Sequence, residues 1–127
     1  MTRLYLLIVS IVLLSSYTSL SEMDNVVNAI KSGNAAQIAR SFDDRVQLTM
    51  PDKSNSYDKA DAQAILKAFF STNAVTSFVV IHQGSNDDGS EYCIGTLQTK
   101  NATYRTTIFM KQKGSNKVLQ ELKFESQ

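Results

Sequence analysis

The chain of 127 residues has one cysteine, one histidine, one proline and no tryptophan. A single Cys93 excludes an internal disulfide, so stability has to come from the hydrophobic core alone. A domain of about 105 residues can build such a core. One histidine, one cysteine and scattered carboxylates do not make a zinc or iron ligand set at any usual spacing, so no metal is expected and no cofactor is implied. An excess of charge of either sign is also missing. Thirteen Lys and Arg stand against twelve Asp and Glu, and the basic residues are scattered, with only Lys111–Lys117 locally enriched. Nucleic-acid binding requires a basic stripe, and none is present. Phosphate loops, nucleophile elbows and zinc-protease motifs are absent as well.

No apolar run reaches the ~20 residues needed to span a bilayer. The longest, Leu4–Leu14, is broken only by Ser10. It follows a basic Met1-Thr2-Arg3 and precedes Ser15-Ser16-Tyr17-Thr18-Ser19, the layout of a secretory signal peptide. Cleavage after Thr18 or after Ser21 leaves small residues at both −1 and −3. Residues 1–21 are therefore expected to be a leader and residues 22–127 one domain, periplasmic or extracellular once released. An uncleaved leader is the only membrane contact the sequence offers. In an exported protein a lone mid-strand cysteine reads as a small buried hydrophobe, since a reactive thiol needs an electropositive, exposed setting.

What the chain does have is alternation. Thr76–Gln83, Ser90–Thr99, Thr103–Lys111 and Val118–Glu125 largely alternate apolar and polar residues. They are separated by Asn86-Asp87-Asp88-Gly89, Lys100-Asn101-Ala102 and Gly114-Ser115-Asn116, which is turn chemistry. Four such segments predict an antiparallel meander whose apolar face must be covered by the elements before it. Met23–Ser32, with Val26, Val27 and Ile30 on one side, predicts a helix ended by Gly33. Asn34 caps a second short helix, Ala35–Phe42. Arg45–Met50 alternates as a strand, Pro51 stops it, and Asp52–Ser56 reads as a polar turn. Asp58 caps a third helix, Lys59–Ser71, whose face is Ala62, Ile65, Leu66, Phe69 and Phe70. Helices segregated from an antiparallel sheet make the fold α+β, with the sheet curved around the third helix.

This order resembles the nuclear-transport-factor-like (cystatin-like) superfamily, in which helices and a bent sheet enclose a cone. Phe42-Asp43-Asp44-Arg45-Val46, Tyr57-Asp58-Lys59-Ala60, Phe69-Phe70, His82-Gln83-Gly84, Tyr92-Cys93-Ile94-Gly95-Thr96-Leu97, Tyr104-Arg105 and Gln120-Glu121-Leu122 more closely resemble a domain-of-unknown-function family of small exported Bacteroidetes proteins. The resemblance spans Asp24 to Glu125. It implies a cone-shaped fold and an exported location, but no activity, because the superfamily hosts both enzymes and non-catalytic modules.

The polar residues that could serve a pocket are His82, Tyr92, Arg105 and Tyr57. Strict alternation puts His82 on one face with Phe78 and Val80. An imidazole titrates near neutrality and can act as a general base, but no neighbouring residue supplies the partner an activated base needs, so burial beside Phe78 and Val80 is expected. Arg105 shares a face with Thr107 and Phe109. It is expected to be a structural ion pair with Glu121 or with Asp43 and Asp44; in a cavity it would instead grip a carboxylate or phosphate. The superfamily's isomerases use an acidic base with a phenol in the oxyanion hole, but parity places none of Glu91, Glu121 or Glu125 with Tyr92 on an apolar face. Asn101-Ala102-Thr103 fits a glycosylation sequon and equally a hairpin turn. The reading that follows is a non-catalytic binding or interaction module, its partner a small molecule or protein, with a homodimer through the outer sheet face as one form. The alternative is a small-molecule carrier, isomerase or hydrolase using a pocket inside the cone. A cone plugged by Phe69, Phe70, Phe78 and Phe109 favours the first; a cavity of about 300 Å3 or more inside the cone, with two of His82, Tyr92 and Arg105 converging on it, favours the second.

Overall fold

The computed structural model describes residues 20–127; the leader expected over residues 1–21 lies outside them except for its last two. Three helices precede or interrupt the strands: α1 (Glu22–Lys31), α2 (Ala35–Ala39) and α3 (Lys59–Thr72). The second and third start at the residues expected, and the first starts one residue before the expected Met23. Ser21 caps α1 in a capping box, its hydroxyl accepting from the Asp24 N–H at 3.1 Å while the Asp24 carboxylate accepts from the Ser21 N–H at 3.4 Å. Asn34 and Asp58 cap α2 and α3 by accepting from the N–H groups of Gln37 and Asp61. Gly33, at φ 62°, supplies the left-handed turn between the first two helices. The second helix is shorter than its apolar pattern suggests, because Phe42 leaves it to begin the first strand.

If the expected leader is removed, the capping box makes its two expected cleavage points differ in the stability they leave. A chain starting at Glu22 lacks the cap, which costs about 0.5–2 kcal/mol, whereas one starting at Ser19 keeps it. Intact-mass measurement of the protein isolated from its source is expected to show Ser19 at the N-terminus. A start at Glu22, or a full-length chain in the membrane fraction, counts against this.

Six strands form one sheet: β1 (Phe42–Thr49), β2 (Ser54–Asp58), β3 (Val75–Ser85), β4 (Glu91–Thr99), β5 (Thr103–Lys113) and β6 (Asn116–Ser126), in the order β2-β1-β6-β5-β4-β3. All neighbours run antiparallel except β1 and β6. The fold is α+β, with the four-strand meander as expected. The addition is β2, where the polar stretch read as a turn over 52–56 pairs with β1. Solvent reaches both faces of this edge strand except at Tyr57, so its sequence has no alternation to show.

The helices cover the face carrying Val46, Leu48, Leu97, Ile108, Met110, Leu119, Leu122 and Phe124, all essentially without solvent contact. Cys93 is buried there too, and burial pushes its thiol pKa up, as fits an inert structural cysteine. The cone is filled. Phe124 stacks on Phe69 with ring centroids 4.9 Å apart and meets Phe70 edge-on at 6.1 Å, while Phe69 also meets Tyr104 at 5.3 Å. Phe78 is buried as well. Phe109, expected in this plug, is on the other face of the sheet, and Phe124 and Tyr104 take its place. The Tyr104 hydroxyl donates to Asn73 at 3.0 Å, and Asn73 in turn donates to the last turn of α3. Among the described residues, the Thr106 hydroxyl is the one buried side-chain polar atom without a partner.

Candidate functional site

The outer face of the sheet is set by register. Outward on β4 and β5 are the opposed pairs Tyr92 and Phe109, Ile94 and Thr107, and Thr96 and Arg105. On β3, Val79 opposes Thr96 and Val80 opposes Gly95, so Val79 points out and Val80 in. The ladder then slips: His82, not Ile81, opposes Ile94. Ile81 is the extra residue of a β-bulge, and one inserted residue moves everything after it to the opposite face. His82 is therefore not buried with Phe78 and Val80, as alternation predicted. It is exposed on the outer face beside Ile94.

Its placement is fixed by a neighbour. The His82 Nε2 and the Tyr92 hydroxyl are 2.8 Å apart. Tyr92 lies across Gly84, its partner in register; a Cβ built at Gly84 would be 2.5 Å from the Tyr92 hydroxyl oxygen. Glycine is required there so that the phenol can lie flat on the strand and reach back to the imidazole. Among the described residues, no carboxylate is hydrogen-bonded to His82 to complete a relay. Glu91 points to the other face, where it accepts from Lys117 at 2.6 Å.

Arg105 also departs from expectation. Its side chain is exposed, and among the described residues the guanidinium forms no ion pair and no protein hydrogen bond. The proposed partners are engaged elsewhere or out of reach. Lys113 donates to Asp43 at 2.8 Å and to Asp44 at 3.3 Å, and Lys59 lies 4.0 Å from Asp44. The Lys113 ammonium, with the backbone N–H of Asp44, holds the Asp43 carboxyl below its ordinary range. Arg105 was assigned to the right face by alternation. The error lay in treating Phe109 as a sign that this face was covered.

His82 and Arg105 line one open groove of about 500 Å3 on the outer face, with Ile81, Ile94, Gly95, Thr96 and Gln127. Tyr92 adjoins it through its contact with His82. Tyr57 does not take part: it opposes Val46 on β2 and packs against the core at the far edge of the sheet. Two of the four candidate residues, His82 and Arg105, thus line one groove outside the cone, and Tyr92 is joined to it through His82. Sequence inspection missed the apolar floor of this site. Ile81 and Ile94 line it, Ile81 is 66% exposed, and Val79, outside the groove on the same strand, is 56% exposed; the uninterrupted Val79-Val80-Ile81 run marks where the alternation fails. No group of His, Cys, Asp and Glu among the described residues is placed to hold a metal ion.

Comparison with known proteins fits this architecture. Residues 23–125 match the family described as "Domain of unknown function (DUF4783)". A DUF4783 family protein from Bacteroides uniformis is 32% identical, with a TM-score of 0.80 over 84% of this chain and 98% of that one. One from Bacteroides ovatus is 31% identical, with a TM-score of 0.77 over 81% and 93%. An NTF2-like protein of unknown function from Cytophaga hutchinsonii shares 9% identity and a TM-score of 0.60 over 87% of this chain and 93% of that one, a likeness of fold alone. No curated protein matches. With its matched region running from the first helix to the last strand, the chain belongs to the DUF4783 family and has the nuclear-transport-factor-like fold.

Proposed function

We propose that this chain is an exported, non-catalytic binding module that takes its partner on the outer face of the sheet and not inside the cone. The filled interior carries the reading. Aromatic rings and aliphatic side chains occupy the space in which a pocket enzyme of this shape would hold its substrate. The groups suited to recognition, His82, Tyr92 and Arg105, gather on the opposite face, and the imidazole there has a phenol for a partner and no acid behind it. A general base without an orienting group is poorly equipped for proton abstraction, whereas an apolar floor with a few convergent polar groups is well suited to binding.

Solvent mapping by two-dimensional NMR tests this reading, with isopropanol and phenol as probes. Shifts are expected at Val79, Ile81, Ile94, Thr96 and Arg105. Saturable shifts confined to Leu66, Leu97, Ile108 and Phe124 would show that the cone opens to ligands, and the pocket-enzyme reading would replace this one.

A further inference from the structure

We propose that the outer-face groove binds a small organic acid with an apolar body, its carboxylate on Arg105 and its far end at His82. The inference rests on the outer-face reading above and adds the ligand's chemistry. The guanidinium is the first reason. Arg105 lines the groove with none of its N–H groups committed to a protein acceptor among the described residues. A planar fork of donors left open is matched by a carboxylate, which it can hold in two parallel bonds.

The floor is the second reason. Arg105 on β5 and His82 on β3 flank β4, so about 9–10 Å, two strand spacings, separate the strands that carry them. Ile94 lies between, on β4, and Ile81 stands beside His82. An ion with no carbon chain would satisfy Arg105 and leave this apolar surface in water. A chain laid over Ile94 and Ile81 covers it. At the far end the His82 ring offers its second nitrogen, because Nε2 is already engaged with Tyr92, which also fixes how the ring faces the groove.

One protein group competes. Glu125 opposes Arg105 across the β5–β6 ladder. It lies on the side away from His82, does not line the groove, and is beyond ion-pair distance. When no ligand is bound, Glu125 is the side-chain carboxylate that register places opposite the guanidinium.

The test is an NMR titration of the protein with hexanoate, acetate and hexanol at fixed pH and ionic strength. Hexanoate is expected to shift the His82 ring and the Ile81 and Ile94 methyls saturably. Acetate, without the chain, and hexanol, without the charge, should each bind about tenfold or more weakly. Arg105→Ala should weaken hexanoate about tenfold or more while leaving the denaturation midpoint in place, since no ion pair is lost. Glu125→Gln should tighten it by removing the competing carboxylate. Hexanoate binding that is indifferent to Arg105→Ala would overturn the proposal. So would the absence of saturation, or its exclusion by a second copy, seen as a dimer in sedimentation with Ile81 and Ile94 covered. If isopropanol and phenol still map to the outer face in those cases, only the acid is refuted; if they map into the cone, the outer-face reading fails as well.

Discussion

Phe124→Ala is expected to lower the unfolding free energy by about 3–5 kcal/mol, a large part of the ~5–15 kcal/mol that holds a domain of this size together. Phe124 is fully buried and contacts Phe69 by stacking and Phe70 edge-on, so truncation removes one side of the cluster that closes the cone. The loss combines transfer of the ring to water with the void left behind, and the void closes only as far as α3 can settle onto the sheet. Urea unfolding measures the first quantity. Benzene reports the second: an apolar cavity of this kind stays dry and takes up such a probe, so benzene should raise the midpoint of the variant and not that of the parent protein. A loss below about 1 kcal/mol would mean that the interior is not packed against this ring.

Gly95→Ala is expected to cost about 1–3 kcal/mol, although alanine at an unstrained glycine normally adds about 0.4–1 kcal/mol through the unfolded chain. The sign reverses because Phe78 lies over Gly95. An added Cβ would be 2.6 Å from the Phe78 ring and 2.8 Å from the Val79 carbonyl oxygen. The ring can swing away, but the backbone of the neighbouring strand cannot do so without disturbing the ladder. Phe78→Leu combined with Gly95→Ala should therefore lose less than the two single changes together, because one substitution removes part of what the other collides with. A stabilised Gly95→Ala would show that β3 and β4 are free to part. The same strand pair carries the mirror arrangement on its outer face, with Tyr92 over Gly84.

The sequence revealed most where one residue type answers one local need. Gly33, Asn34 and Asp58 mark helix boundaries because a positive φ and an orphan N–H leave few alternatives. The burial of Cys93 follows from its position mid-strand in a chain with no second thiol. His82 was misplaced for a definite reason: alternation counts residues along one strand, while a bulge is a property of two strands, and nothing in Val79-Val80-Ile81-His82 records which of them is left unpaired. Phe109 is misplaced in the plug, and Phe124 goes unnoticed, because both sit in alternating strands and size alone does not say which face the helices cover. Arg105 followed from Phe109. The outer site was illegible for the same reason, since its residues come from three strands joined by a register that includes a slip.

The sheet order has a kinetic consequence. The central strand β6 is the last to be made, and its parallel partner β1 is near the start, Leu48 pairing with Leu122 about seventy residues further on. Until β6 arrives, β1 and β2 have no sheet to join, and the meander offers its inner face to helices that cannot yet be held in place. The other pairings join strands adjacent in sequence, so this one distant pairing is expected to be the slow step that closes the sheet. Shortening the last strand should therefore leave a truncated chain without a native core, whereas trimming β2 should leave the remaining ladder standing.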